Sequence, residues 1–117
     1  MTWGIFSDSS CDLSSEEFEN YNFNFAAVPL KIRVGETEYT DNQNLDVNEM
    51  LSHMKRFKGA SSSACPSPEE WAQEFRKCDQ SIAVTMTSAL SGTFNSAVVA
   101  KKMVLEEFPQ KRIHVID

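Results

Sequence analysis

The chain has 117 residues, 41% of them hydrophobic and 24% charged, which suits one compact domain with its own core rather than a disordered segment. Eleven basic residues against seventeen acidic ones leave a formal charge of −6, a balance that argues against nucleic acid and against electrostatic binding to anionic membranes. No apolar run approaches the roughly 20 residues of a membrane helix, so no stable membrane insertion is expected, and Met1-Thr2-Trp3-Gly4 lacks a secretory pattern.

Three widely spaced cysteines, Cys11, Cys65 and Cys78, with no CxxC, fit a reducing cytoplasm better than a disulfide framework. His53 and His114 stand alone, without carboxylates or thiols at metal-ligand spacing, so no metal and no cofactor is expected.

In chain order, Trp3-Gly4-Ile5-Phe6 predicts a buried strand running into the polar loop Ser7-Asp8-Ser9-Ser10-Cys11-Asp12. Ser14-Ser15-Glu16-Glu17 has the spacing of a capping box and predicts a short helix to about Tyr21. Residues 25–34 predict one strand, with Pro29 at its entry or on an edge and Lys31 and Arg33 on a wet face. Gly35-Glu36 then turns the chain into a hairpin arm, Thr37-Glu38-Tyr39-Thr40. Asp46 caps a helix whose apolar face carries Val47, Met50, Leu51, Met54 and Phe57.

Ser61 to Ser67 predicts a loop of small residues, and Ser67-Pro68-Glu69-Glu70 a third cap, with proline at the first helical position. Trp71, Phe75 and Cys78 continue that helix. Ser81-Ile82-Ala83-Val84-Thr85-Met86 is a second core strand, and Thr87-Ser88-Ala89-Leu90-Ser91-Gly92-Thr93 a hydroxyl-rich loop. A long helix through Phe94, Ala97, Val98, Leu105 and Phe108 leads to a last strand around Ile113, Val115 and Ile116. Strands alternating with helices predict an α/β fold with a mostly parallel central sheet flanked by helices.

Ligands of such sheets bind beyond the carboxyl ends of the strands. Three polar loops, 7–12, 61–67 and 87–93, fall at strand ends or helix starts; each is rich in hydroxyls and carries no lysine or arginine. Neutral donors and helix N-terminal amides suit one carboxylate or a small phosphate. GxxxxGK[ST] and GxGxxG are both missing, which argues against nucleotide triphosphates and dinucleotides. Asp8 either polarises a hydroxyl or caps its own loop. Gly92 either admits a ligand close to the backbone or makes a tight turn. Leu90-Ser91-Gly92 also sits where a nucleophile elbow would, but the G-x-S-x-G pattern is not met, since Ala89 and Thr93 flank it.

Five ordered segments resemble the DegV family. Ser7-Asp8-Ser9-Ser10-Cys11-Asp12 is similar to its opening D-S-x-x-D, and Val28-Pro29-Leu30 with the later Tyr39-Thr40-Asp41 to its VPL segment and following aspartate. Ser63-Ala64-Cys65-Pro66-Ser67-Pro68-Glu69-Glu70 is similar to T-S-Q-P-S-P-x-E, with Ser63-Ala64-Cys65 in place of T-S-Q. Ser88-Ala89-Leu90-Ser91-Gly92-Thr93-Phe94 resembles S-x-x-L-S-G-T-Y through Leu90-Ser91-Gly92-Thr93, with Phe94 in place of tyrosine, and Val115-Ile116-Asp117 resembles the start of V-I-D-S.

The resemblance implies that residues 1–117 form the amino-terminal lobe of a two-lobed protein, with the second lobe absent from this chain. It implies a carrier that performs no chemistry, binds a long-chain fatty acid and presents its carboxylate to a separate ATP-binding kinase subunit, which makes the acyl phosphate. By position, Ser63 and Ser91 would hold the carboxylate with Gly92 and Thr93, supported by Ser7, Asp8 and Ser88. The second lobe would add a histidine at the headgroup and a basic surface for the kinase. Two other readings stay open: a hydrolase or small phosphotransferase using Ser91, and an interaction domain that needs no ligand.

Overall fold

The computed structural model describes all residues, Met1–Asp117. Four parallel strands make the main sheet: β1 (Trp3–Asp8), β2 (Asn24–Val28), β6 (Gln80–Val84) and β7 (Arg112–Ile116), in the order β2-β1-β6-β7. A second, antiparallel sheet has the order β4-β3-β5, from β3 (Lys31–Val34), β4 (Thr37–Thr40) and β5 (Ser62–Ala64). Three helices complete the fold: α1 (Val47–Arg56), α2 (Pro68–Arg76) and α3 (Thr93–Glu107).

In the main sheet the chain moves outward from β1 to β2 on one side and from β6 to β7 on the other. The direction of winding therefore reverses between β1 and β6, where open α/β sheets leave a crevice at the carboxyl ends of their strands. Registers place Gly4 beside Ser81 and Phe6 beside Ala83, with Ile113 and Val115 continuing those rows. This face meets α2 and α3 in a core of Phe6, Trp71, Phe75, Ala97, Ala100 and Val104. The small alanines let α3 lie close, while Trp71 and Phe75 fill the volume beside β1 and β2. Gly4 is required by this packing, because a Cβ there would meet the Phe6 ring and lie 2.8 Å from Cys78 Sγ.

The opposite face carries Trp3, Ile5, Ile82, Val84, His114 and Ile116, and no helix covers it. Trp3, Val84 and Ile116 are 43%, 40% and 42% exposed. Only its β2 margin is shielded, by Phe18 stacked on Phe25 with ring centroids 4.5 Å apart.

Caps form as the side-chain chemistry requires. Ser67 Oγ accepts from the Glu70 amide and Glu70 Oε1 accepts from the Ser67 amide, both at 3.2 Å. Asp46 Oδ1 accepts from the Glu49 amide at 3.1 Å. Gly35 opens the β3–β4 turn with φ +63°, where a Cβ would be strained.

Four expectations need correction. Residues 25–34 form two strands in different sheets: Pro29 cannot donate to a ladder, and the Leu30 amide leaves it for Ser9 Oγ at 2.9 Å. The Ser61–Ser67 loop contains β5, recruited by backbone pairing to β3. The helix after Ser14 is a single 3₁₀ turn, Ser15–Phe18. The predicted face of α1 is mostly open, since Val47 and Leu51 are 50% and 45% exposed and only Met50 is buried. That helix rests on the narrow β3–β4 hairpin, through Met50 and a 2.8 Å contact between Tyr39 Oη and His53 Nδ1.

Lys31 Nζ bridges β3 to α2 through Glu70 Oε2 at 3.0 Å. Burial works to raise the Glu70 carboxyl, but hydrogen bonds from Lys31 and Ser67 outweigh it and hold the group below 4.5. The hydrogen bond from Arg76 lowers Glu107 in the same way.

Folded values below the unfolded ones mean that the unfolded chain takes up more protons as the solution is acidified. These pairs thus contribute stability above pH 4.5 and lose it as pH falls through their lowered values. Urea midpoints measured from about pH 6 down to about pH 3 are expected to fall; a flat profile would contradict the pairing. In the core, Phe75→Ala is expected to cost about 3 to 5 kcal/mol by the same measurement. Ser81→Ala is expected to be neutral or stabilising by up to about 1 kcal/mol, because the buried Ser81 hydroxyl has no hydrogen-bond partner.

Candidate functional site

The carboxyl ends of β1 and β6 meet at Asp8. This side chain is 1% exposed and has no cation beside it. Its Oδ1 accepts from the Ser10 amide at 3.0 Å and from the Ser10 hydroxyl, and its Oδ2 accepts from the Met86 amide at 2.7 Å. Asp8 therefore caps its own loop and ties it to the segment after β6. Ser9 Oγ takes the Leu30 amide, which draws the start of β3 to the same edge.

The Thr87–Thr93 turn is largely closed on itself. Thr87 O accepts from the Leu90 and Ser91 amides at 3.0 and 3.1 Å. Ser91 Oγ accepts from the Thr93 amide at 3.2 Å and lies 2.9 Å from Thr93 Oγ1. Thr93 itself is fully buried, while Ser91 stays half-buried. Gly92 has φ −79°, which any residue adopts, so of its two possible roles the tight turn is not what calls for glycine. Packing within the protein does not call for it either: a Cβ on Gly92 would stand 3.5 Å from Cys65 Sγ, an ordinary van der Waals contact, and that sulfur also lies 3.7 Å from Ser96 Oγ. The segments that carry Ser63 and Ser91 thus meet at Cys65 and Gly92. Ser63 is exposed, on β5 opposite Ile32 and two residues before Cys65.

What remains unsatisfied there is a set of backbone donors. The amides of Gly92, Phe94 and Asn95, at the start of α3, have no protein acceptor. Three unpartnered N–H groups at the N-terminus of a 15-residue helix favour a single negative charge.

Ser88 is already occupied: its amide and hydroxyl each donate to Asp117, both at 2.7 Å. The Ser88 hydroxyl, then its amide, hold the Asp117 carboxyl below its ordinary value. Asp117 was invisible as a site residue in sequence, although its place at the carboxyl end of β7 is the signal that flagged Asp8 on β1. The unsatisfied Phe94 and Asn95 amides carry no side-chain signature. Ser7 is not brought to the others. It lies on the open face of the sheet, in the row of Ala27 and Val84, opposite to Asp8.

The geometry of a hydrolase is not assembled. Ser91 bonds Thr93 rather than an imidazole, His53 on α1 bonds Tyr39 on β4, and His114 projects from the open sheet face. A larger cleft of about 550 Å³ lies nearby, between the segments after β1 and β4. Asp12, Glu17 and Asp41 line it, so it repels the anion that the α3 amides attract.

The family described as "Uncharacterised protein, DegV family" matches residues 2–117. A DegV domain-containing protein of Streptococcus gordonii is 46% identical over all 117 residues, which are 42% of that protein. Among solved structures, the Streptococcus pneumoniae Fatty Acid Kinase (Fak) B3 protein loaded with linoleic acid superposes with a TM-score of 0.94 at 41% identity, over 100% of this chain and 42% of its own. A DegV family protein of Eubacterium eligens loaded with heptadecanoic acid gives a TM-score of 0.89 at 38% identity, over 99% of this chain and 41% of its own. The chain thus spans less than half the length of these proteins, and over that span its sequence and fold make it a member of the DegV family.

Proposed function

We propose that this domain binds a long-chain fatty acid by its carboxylate, at the edge where the winding of the main sheet reverses. The observation that carries the reading is the set of unclaimed amides at Gly92, Phe94 and Asn95, with Cys65, two residues from Ser63, beside Gly92. The Ser63 and Ser91 hydroxyls complete the donors, and Gly92 and Thr93 shape the turn. A single carboxylate matches neutral donors, whereas a polyphosphate would need cations that these loops lack. Leu90, 80% exposed beside Ser91, supplies the step in polarity that an amphiphile needs.

Relatives of similar sequence and fold solved with linoleic and heptadecanoic acids support the choice of ligand. The likeness to the Fak B3 protein supports a carrier role, and the three free cysteines favour a reducing compartment such as the cytoplasm. In that role the acyl carboxylate is offered to a separate ATP-binding kinase subunit, and this chain makes and breaks no bond. The rest of the tail's enclosure would come from the length that the relatives have beyond this domain.

Oleate uptake measured by calorimetry is expected to weaken about tenfold in Ser91→Ala and in Ser63→Ala, the effect of one hydrogen bond to a charged group. A wild-type chain that takes up no oleate, or serine variants that bind as well as wild type, would contradict the reading.

A further inference from the structure

We infer that Asp117 is a positioning residue for this site, holding the Thr87–Thr93 turn to the end of β7 through Ser88. The inference rests on the lipid reading above for its consequence, but its geometry is independent of it.

The segment after β6 is fastened to the sheet edge at three successive points. The Thr85 amide and hydroxyl both donate to Ile116 O at 3.1 Å. The Met86 amide donates to Asp8 Oδ2 at 2.7 Å. Ser88 then gives both its amide and its hydroxyl to the two oxygens of Asp117. Between Ser88 and Gly92 the bonds of the turn are internal, to Thr87 or Ser91, and at its far end Gly92 O accepts from the Ser96 amide at 3.0 Å, at the start of α3. Ser88 is therefore the last residue fixed to the sheet edge before the unclaimed amide of Gly92. Without it the residues between Met86 and Gly92 would be held only at those two ends, and the Ser91 donor would lose its bearing on the amides of Phe94 and Asn95. A two-point contact fixes orientation as well as distance, which a single hydrogen bond does not.

The chemistry of the clamp gives an asymmetric test. An asparagine at 117 can keep both contacts: its carbonyl accepts from the Ser88 amide, and its NH₂ donates to the Ser88 hydroxyl, which reverses its role. Alanine loses both. Asp8 cannot be replaced in this way, because both of its oxygens accept from backbone amides and an NH₂ would face one of them.

Amide hydrogen exchange of the 117-residue chain, with oleate labelled with ¹³C at its carboxyl as the probe ligand, reads both parts. Asp117→Ala is expected to speed exchange at the Ser88 amide by about tenfold and to weaken oleate binding by about tenfold, with a moved carboxyl resonance. Asp117→Asn is expected to restore both to within about threefold, while Asp8→Asn does not. Protection at Ile113, within β7, should stay unchanged in both Asp117 variants, which separates positioning from unfolding. A Ser88 amide unmoved in Asp117→Ala overturns the clamp. A freed Ser88 amide with oleate affinity and carboxyl resonance unchanged overturns its role at the site. Failure of the lipid reading looks different: the wild-type chain then shows no bound carboxyl resonance at all.

Discussion

A carboxylate sunk at the junction of two parallel strands governs the whole edge. Asp8 is buried without a cation, a placement that is costly unless its oxygens are saturated with donors. Ser10 and Met86 provide them, one from the loop after β1 and one from the segment after β6. Satisfying one acid therefore fixes two loops at the point where the winding reverses. Ser9, with the Leu30 amide on its hydroxyl, adds the second sheet to the same corner. The corner around Asp8 and Asp117 is thus organised by hydrogen bonds from neutral groups to acids, and neither carboxylate has an ion-pair partner. An anion that settles there must be held by amides and hydroxyls, which sets the scale of charge it can carry.

The second sheet depends on the first for its placement. Lys31 reaches Glu70 across to α2, and Glu70 also closes the cap on Ser67. One glutamate thereby fixes the start of α2, the end of the Ser61–Ser67 segment and the first residue of β3. Cys65 lies within that frame and meets Gly92, so the approach of the two hydroxyl-bearing segments follows from ordinary capping and ion pairing. On the far side the main sheet keeps an uncovered apolar face, and α1 keeps Val47 and Leu51 exposed. Relatives of this family are more than twice as long over the same match.

Much of this was legible in the residues. The alternation of apolar runs with capped helices gave the α/β class, and Ser67-Pro68-Glu69-Glu70 marked the start of α2 to the residue. Ser91-Gly92 was legible as a strand-to-helix turn, whereas its neighbour Cys65, which leaves room for a Cβ at Gly92, was not. β5 was not legible: three small residues, Ser62, Ser63 and Ala64, have no period of two to detect, and their pairing comes from β3. The split at Pro29 was ambiguous because an imino acid fits a strand entry as well as a strand break. Ser7 was grouped with Asp8 by adjacency, yet neighbours in a strand point to opposite faces. Asp117 was missed because its partner, Ser88, lies far away in sequence, and no local pattern announces such a pair.

A crystal structure of the chain grown with oleate tests the central claim most directly, because it locates the headgroup without relying on a variant. The carboxylate is expected within about 3 Å of the Gly92 and Phe94 amides, with the first carbons of the tail passing Leu90. A carboxylate seated instead in the cleft of Asp12 and Asp41, or on the open face beside Trp3 and His114, would contradict it.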